Sequence, residues 1–199
     1  MDDSRYRDRI DQLVDPGERV LAYAAAEIGG GVAPSPPPDD AAPAASGRAT
    51  VTSVLLNLLF PLVTWDRGDR LVDLIGWGIA GRGAPGSAAS RLHRAVNPAR
   101  PDGKVRHTVL AVTDRRLLVC RTGATKLLSS QEDDERALAE TSVAWSASRA
   151  EVASARVGWH RLNPKRLRVD FADGSWLSFT VPIAESGRPL RAVAAALTG

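Results

Sequence analysis

The sequence predicts a mainly β, α+β fold: antiparallel strands capped by a C-terminal amphipathic helix and interrupted by a long helical insertion. Three stretches carry that prediction. "RLRVDFADGSWLSFTV" (166–181) alternates apolar and polar residues on both sides of an Asp-Gly step, as a β-hairpin does. "TVLAVTDRRLLVCR" (108–121) sets two apolar runs around a Thr-Asp-Arg-Arg step. "ESGRPLRAVAAALTG" (185–199) places Leu190, Val193, Ala194 and Leu197 on one narrow helical stripe, suited to lie against a sheet.

Taken in chain order, Tyr6, Ile10, Leu13 and Val14 fall on one face of a short helix (1–15) capped by Ser4 and stopped at Asp15-Pro16-Gly17. "ERVLAYAAAEI" (18–28) reads as the first strand. Residues 29–104 form the insertion. Its Pro/Ala-rich loop (29–50) contains "APSPPPDDAAPAASG", which cannot build a core. An apolar helical segment (51–82) follows, with two helices joined near Asp66-Arg67-Gly68. A basic Gly/Pro loop (83–104) closes it, with at most one helical turn around Ser90–Val96. From Val105 the period becomes that of strands: a hairpin around Asp114-Arg115, an acidic connection (126–140), strands at 142–148 and 151–161, and the hairpin at 166–181.

The register of that last hairpin follows from its apolar residues. A two-residue turn would place Val169 opposite Ser178 and split the apolar set between two faces. A three-residue loop, Ala172-Asp173-Gly174, instead pairs Val169 with Leu177 and Leu167 with Phe179. That loop puts Gly174 in the left-handed region and turns Trp176 outward. In the final helix Ser186 is placed to cap and Pro189 suits the first turn.

The 199 residues suit one domain with a large insertion. The net charge of +3 hides an uneven spread, with an acidic first quarter and a basic middle. High alanine and arginine content reads as codon bias of a high-GC organism. The charged opening "MDDSRYRDRI" lacks the apolar centre of a signal peptide, and no apolar run reaches the ~18 residues of a membrane span. Those features point to the cytoplasm, with membrane association through the insertion as the alternative.

The motifs "TVLAVTDRRLLVCR" (108–121), "WSASRAEVASARV" (145–157), "LRVDFADGSWLSF" (167–179) and "LRAVAAAL" (190–197) occur in an order that resembles the bacterial pleckstrin-homology-like (PH/GRAM-like) domains, here of an actinobacterial type with a long insertion. The resemblance covers about 16–28 and 105–198. It implies a barrel of two roughly orthogonal antiparallel sheets, built from 16–28 and 105–199 and plugged by the C-terminal helix. The family has no common catalytic residues, so it implies a binding module. A compact member joins its first strands by a short loop, where this chain inserts everything between Ile28 and Val105.

Candidate chemistry is sparse. A single cysteine, Cys120, sits in an apolar strand with no base to activate it. His93, His107 and His160 have no metal-like spacing, and no phosphate loop or dinucleotide fingerprint occurs. No catalytic residue, cofactor or metal is therefore expected. Asp114-Arg115-Arg116 reads as a turn with its aspartate capping the backbone and its arginines in solvent, or as a pair of guanidiniums for a phosphate. In the insertion, Trp65, Trp77, Arg67, Arg70 and Arg82 flank short apolar runs. That mixture suits a surface that docks a protein partner or a second copy of the chain, or alternatively a helix in an anionic lipid interface. Candidate contacts are therefore Trp65, Arg67, Arg70, Trp77 and Arg82, with Arg115 and Arg116 as a secondary pair. Nucleic acid ranks lower, because basic residues are scattered and aromatics are not interleaved with them at strand spacing.

Overall fold

The computed structural model describes residues 4–28, 32–33, 81–96, 106–125, 130–160, 163–181 and 186–199. Helix α1 (Ser4–Asp11) precedes strand β1 (Val20–Ile28). Two short strands, β2 (Val32–Ala33) and β3 (Gly81–Arg82), and helix α2 (Ala88–Val96) come from the insertion. The hairpin β4 (Thr108–Thr113) and β5 (Arg116–Arg121) follows, then α3 (Gln131–Ala139) and β6 (Ser142–Ser148). A 3-10 turn at Arg149–Glu151 leads into β7 (Val152–His160), β8 (Asn163–Phe171), β9 (Trp176–Thr180) and the closing helix α4 (Arg188–Thr198).

The result is an open, mainly antiparallel sheet with helices against it. One path runs β2-β3-β9-β1-β4-β5-β6, while β8 pairs with β9, and β7 with β8. Strand β1 joins the two halves. Val20 to Ala26 pair with β4, whereas Glu27 and Ile28 pair with Thr180 and Phe179 of β9.

The main core lies on one face of both halves. Leu110, Val112, Leu117 and Val119 meet Leu167, Val169, Phe171, Leu177 and Phe179 there, covered by Leu190, Val193, Ala194 and Leu197 of α4. Trp145 packs edge-on against Phe171, with ring centroids 5.7 Å apart and planes at 72°. Such a contact adds about 1 kcal/mol to the burial itself. A second cluster fills the opposite face of β4 and β5, where Val109, Ala111, Leu118 and Cys120 lie under Tyr6 and Ile10 of α1. Every residue of β4 is therefore buried. That accounts for its unbroken apolar run, since a strand covered on both faces has no polar alternation to show.

The predicted hairpin register is the observed one. Val169 pairs with Leu177, Leu167 with Phe179, and Gly174 has φ +78°. Other local expectations need correction. The turn around Ser90–Val96 is a nine-residue helix, and the acidic connection contains α3, capped by Ser130 Oγ accepting from the Asp133 N–H at 3.2 Å. Arg82 belongs to a strand rather than to a helical segment, and β2 lies within the predicted Pro/Ala-rich loop. The N-cap position of α4 is Gly187, while the Ser186 hydroxyl accepts from the Arg188 N–H at 3.2 Å, and Ser4 is the first helical residue of α1.

Candidate functional site

The outer face of β7, β8 and β9 carries the site. Because paired residues share a face, the register assigns its side chains. On β9, Trp176 and Ser178 point away from the core that holds Leu177 and Phe179, and on β8 so do Arg166, Arg168 and Asp170. Strand β7 places Arg156 opposite Arg168 and Gly158 opposite Arg166. On the other side of β9, Arg82 pairs with Trp176. Four arginines thus surround one tryptophan across four strands, with Asp170 among them and Glu27 at the far end, opposite Thr180.

Small residues between large ones make this face concave. A groove of about 400 Å³ opens there, with Gly158 and Ser178 between the larger side chains of Arg156, Trp159, Arg166 and Trp176. Trp159 is 77% exposed at its rim. The Arg168 guanidinium lies 4.2 Å from the Trp176 ring centroid and that of Arg166 at 5.9 Å, so two cations approach the indole from β8. Arg168 Nε also donates to Asp170 Oδ1 at 2.7 Å, and Ser154 Oγ donates to Asp170 Oδ2 at 2.9 Å. Two features oppose folding stability. Arg156 and Arg168 face each other directly across a strand pair, a like-charge juxtaposition that costs stability. Ser178 is 2% exposed, and its hydroxyl has no hydrogen-bond partner. An anionic ligand would offset the first, and an acceptor or donor on that ligand would satisfy the second.

The residues nominated from sequence fall in different places. Trp65, Arg67, Arg70 and Trp77 lie outside the described residues. Arg82 is exposed and stands beside Trp176. Arg115 is exposed at the β4–β5 turn. Arg116 is held internally, with Nη2 2.8 Å from Glu18 Oε2 and 2.9 Å from Asp15 Oδ2. That hydrogen-bonded guanidinium holds the buried Glu18 carboxyl at a pKa of about 2. The turn is capped by Thr113, whose Oγ1 accepts from the Arg116 N–H at 2.9 Å, while Asp114 accepts from the Arg19 N–H at 3.0 Å. The expectation of two arginines in solvent therefore holds for Arg115 alone. Burial pushes the Cys120 thiol up to about 11.

A smaller hollow of about 80 Å³ lies between α1 and α3, lined in part by Tyr6, His107 and Asp134. Among the described residues no group of His, Cys, Asp and Glu is placed to hold a metal ion, and no helix is long and apolar enough to cross a membrane. Arg156, Trp159, Arg166, Arg168 and Trp176 were not nominated from sequence. The signal available was the outward set of the 166–181 hairpin, in which Arg166, Arg168 and Trp176 alternate with the core residues. Compared with family models, curated proteins and solved structures, the chain matches none.

Proposed function

We propose that this protein is a non-enzymatic binding module of PH-like architecture, and that its described contact surface is the arginine and tryptophan groove on β7–β9. The PH-like reading is supported by the strand order, the passage of β1 from pairing with β4 to pairing with β9, and the C-terminal helix packed over the core. The binding reading rests on one observation: two tryptophans and three arginines line one concave outer face, with Arg82 beside Trp176 on the neighbouring strand. Tryptophan and arginine are the side chains that most often dominate binding energy. Here they face a partner that carries negative charge. Docking of a protein or a lipid surface through the 51–82 segment remains a separate proposal, resting on Trp65, Arg67, Arg70 and Trp77.

Retention of the whole protein on a heparin column tests the groove reading. The double variant R82E/R156E alters two exposed side chains and leaves the core untouched, so it should elute at distinctly lower salt than the Arg115→Glu/Arg121→Glu control of equal charge. Equal elution of the two variants would remove the groove as the contact surface.

A further inference from the structure

We infer that the β7–β9 groove binds single-stranded nucleic acid, with a base stacking on the exposed indole of Trp159 and phosphates meeting Arg82 and Arg156. This rests on the groove being the module's contact surface. In the linear sequence the basic and aromatic residues look scattered, and the fold removes that objection. Arg82 lies next to Trp176 across β3 and β9, Arg168 covers the same indole from β8, and Arg156 faces Arg168 from β7. Cations and an aromatic ring are therefore interleaved at the spacing of adjacent strands. At ~4.8 Å per strand step, the three steps from β3 to β7 span about 14 Å, enough for a few nucleotides of a single strand.

A planar ligand fits the groove better than a carboxylate alone. Carboxylates would engage the guanidiniums but leave the indole of Trp159 unused, at 77% exposure. A nucleobase offers a flat π-face for that ring, and each base brings a phosphate for a neighbouring arginine. Gly158 provides the room, because a Cβ added there meets no atom within 4 Å. The unpartnered hydroxyl of Ser178 lines the same groove and can donate to or accept from a base edge or a phosphate oxygen. A duplex buries its base faces, so single strands are the preferred form.

Fluorescence anisotropy of a labelled twelve-nucleotide oligothymidylate, titrated with the full chain at low salt, tests the inference. Binding should weaken as salt rises and fall about tenfold or more in each of W159A and R156E. Trp159 and Arg156 are exposed, so both variants keep their cores. Gly158→Val leaves every charge in place but fills the groove, and should weaken binding by a similar factor. The same sequence as a duplex should compete poorly, and so should polyglutamate.

Loss of oligonucleotide binding in R156E but not in W159A or G158V would reduce the site to general charge attraction and overturn the inference. Competition by polyglutamate at matched charge, or preference for anionic vesicles, would assign the groove to an acidic protein or to lipid instead. Heparin retention that depends on Arg82 and Arg156, without oligonucleotide binding, overturns nucleic acid while leaving the binding-module reading intact. Absence of both overturns both.

Discussion

The carboxylate of Asp173 accepts a hydrogen bond at 2.7 Å from the backbone N–H of Ala88, although 85 residues separate them. The tip of the β8–β9 hairpin thereby caps helix α2. Ser175 Oγ adds a second bond, accepting from the Ala89 N–H at 3.1 Å. Two of the unsatisfied N–H groups that open any helix are met from outside it. Helix α2 is thus fastened to the same hairpin whose outer face contributes to the groove.

Removing that cap should loosen helix α2. Asp173→Ala is expected to destabilise the protein by about 1 kcal/mol, as loss of an N-cap does, in chemical denaturation at neutral pH. Burial raises the Asp173 pKa, but hydrogen bonds from Ser175 and Ala88 outweigh it and leave the value below the usual 3.8. A depressed carboxyl stabilises the fold above its ordinary pKa and loses that contribution as pH falls below it. The deficit of Asp173→Ala should therefore shrink on acidification below about pH 4, and a deficit constant with pH would contradict the cap.

Glu18 should dominate acid sensitivity at the other end of the sheet. Its hydrogen bonds from Arg116 and Thr113 lower its pKa from 4.5 to about 2 against the cost of burial. The stabilisation is complete above pH 4.5 and lost between there and pH 2. Glu18→Gln should cost about 2 kcal/mol at neutral pH, since it leaves a partly buried guanidinium short of a charged partner. It should also flatten the stability profile between pH 4.5 and 2, which urea unfolding across that range would reveal.

Local pattern was enough for the 166–181 hairpin and for the buried stripe of α4. Each is decided within about 16 residues by alternation or by a helical repeat. Helix α2 was read as one turn because two groups that complete its first turn, Asp173 and Ser175, belong to a distant hairpin, although Ser87, whose Oγ accepts from the Ser90 N–H, was a local signal. Helix α3 was legible in principle: Ser130, its acidic first turn and Ala137 are local signals. The groove was half legible. The outward placement of Arg166, Arg168 and Trp176 follows from alternation, but pairing Arg156 with Arg168 needs the β7–β8 register. No Gly or Asn-Gly turn marks the join between those strands, so that register could not be read. The β3–β9 pairing that brings in Arg82 joins residues more than 90 positions apart.

Gly174 is the position at which one methyl group strains the predicted three-residue loop. Its φ of +78° is strained for any residue with a Cβ, although the added atom would touch nothing. Gly174→Ala should cost about 1 kcal/mol through backbone conformation alone. Gly174→Asn, which tolerates the left-handed region better, should recover part of that loss. Thermal melts of the two variants side by side check this, and equal stability of Ala and Gly would argue against the left-handed loop.

Asp170 tests the charge balance of the groove. Its carboxylate accepts from Arg168 and Ser154 and faces Trp176 across the strand pair, so it offsets one of the four surrounding arginines. Asp170→Asn keeps the size and a hydrogen-bond acceptor while removing the negative charge. Protein stability should change little, because the ion pair is partly exposed, and such pairs contribute roughly 0–1 kcal/mol. Polyanion binding should strengthen, seen as elution from heparin at higher salt than the wild-type protein. A single added charge elsewhere would do the same, so the comparison is with Glu151→Gln, an equally neutralising change at an exposed turn away from the groove. If Asp170→Asn elutes with or before Glu151→Gln, Asp170 serves to hold Arg168 over the Trp176 ring, and positioning outweighs net charge in that groove.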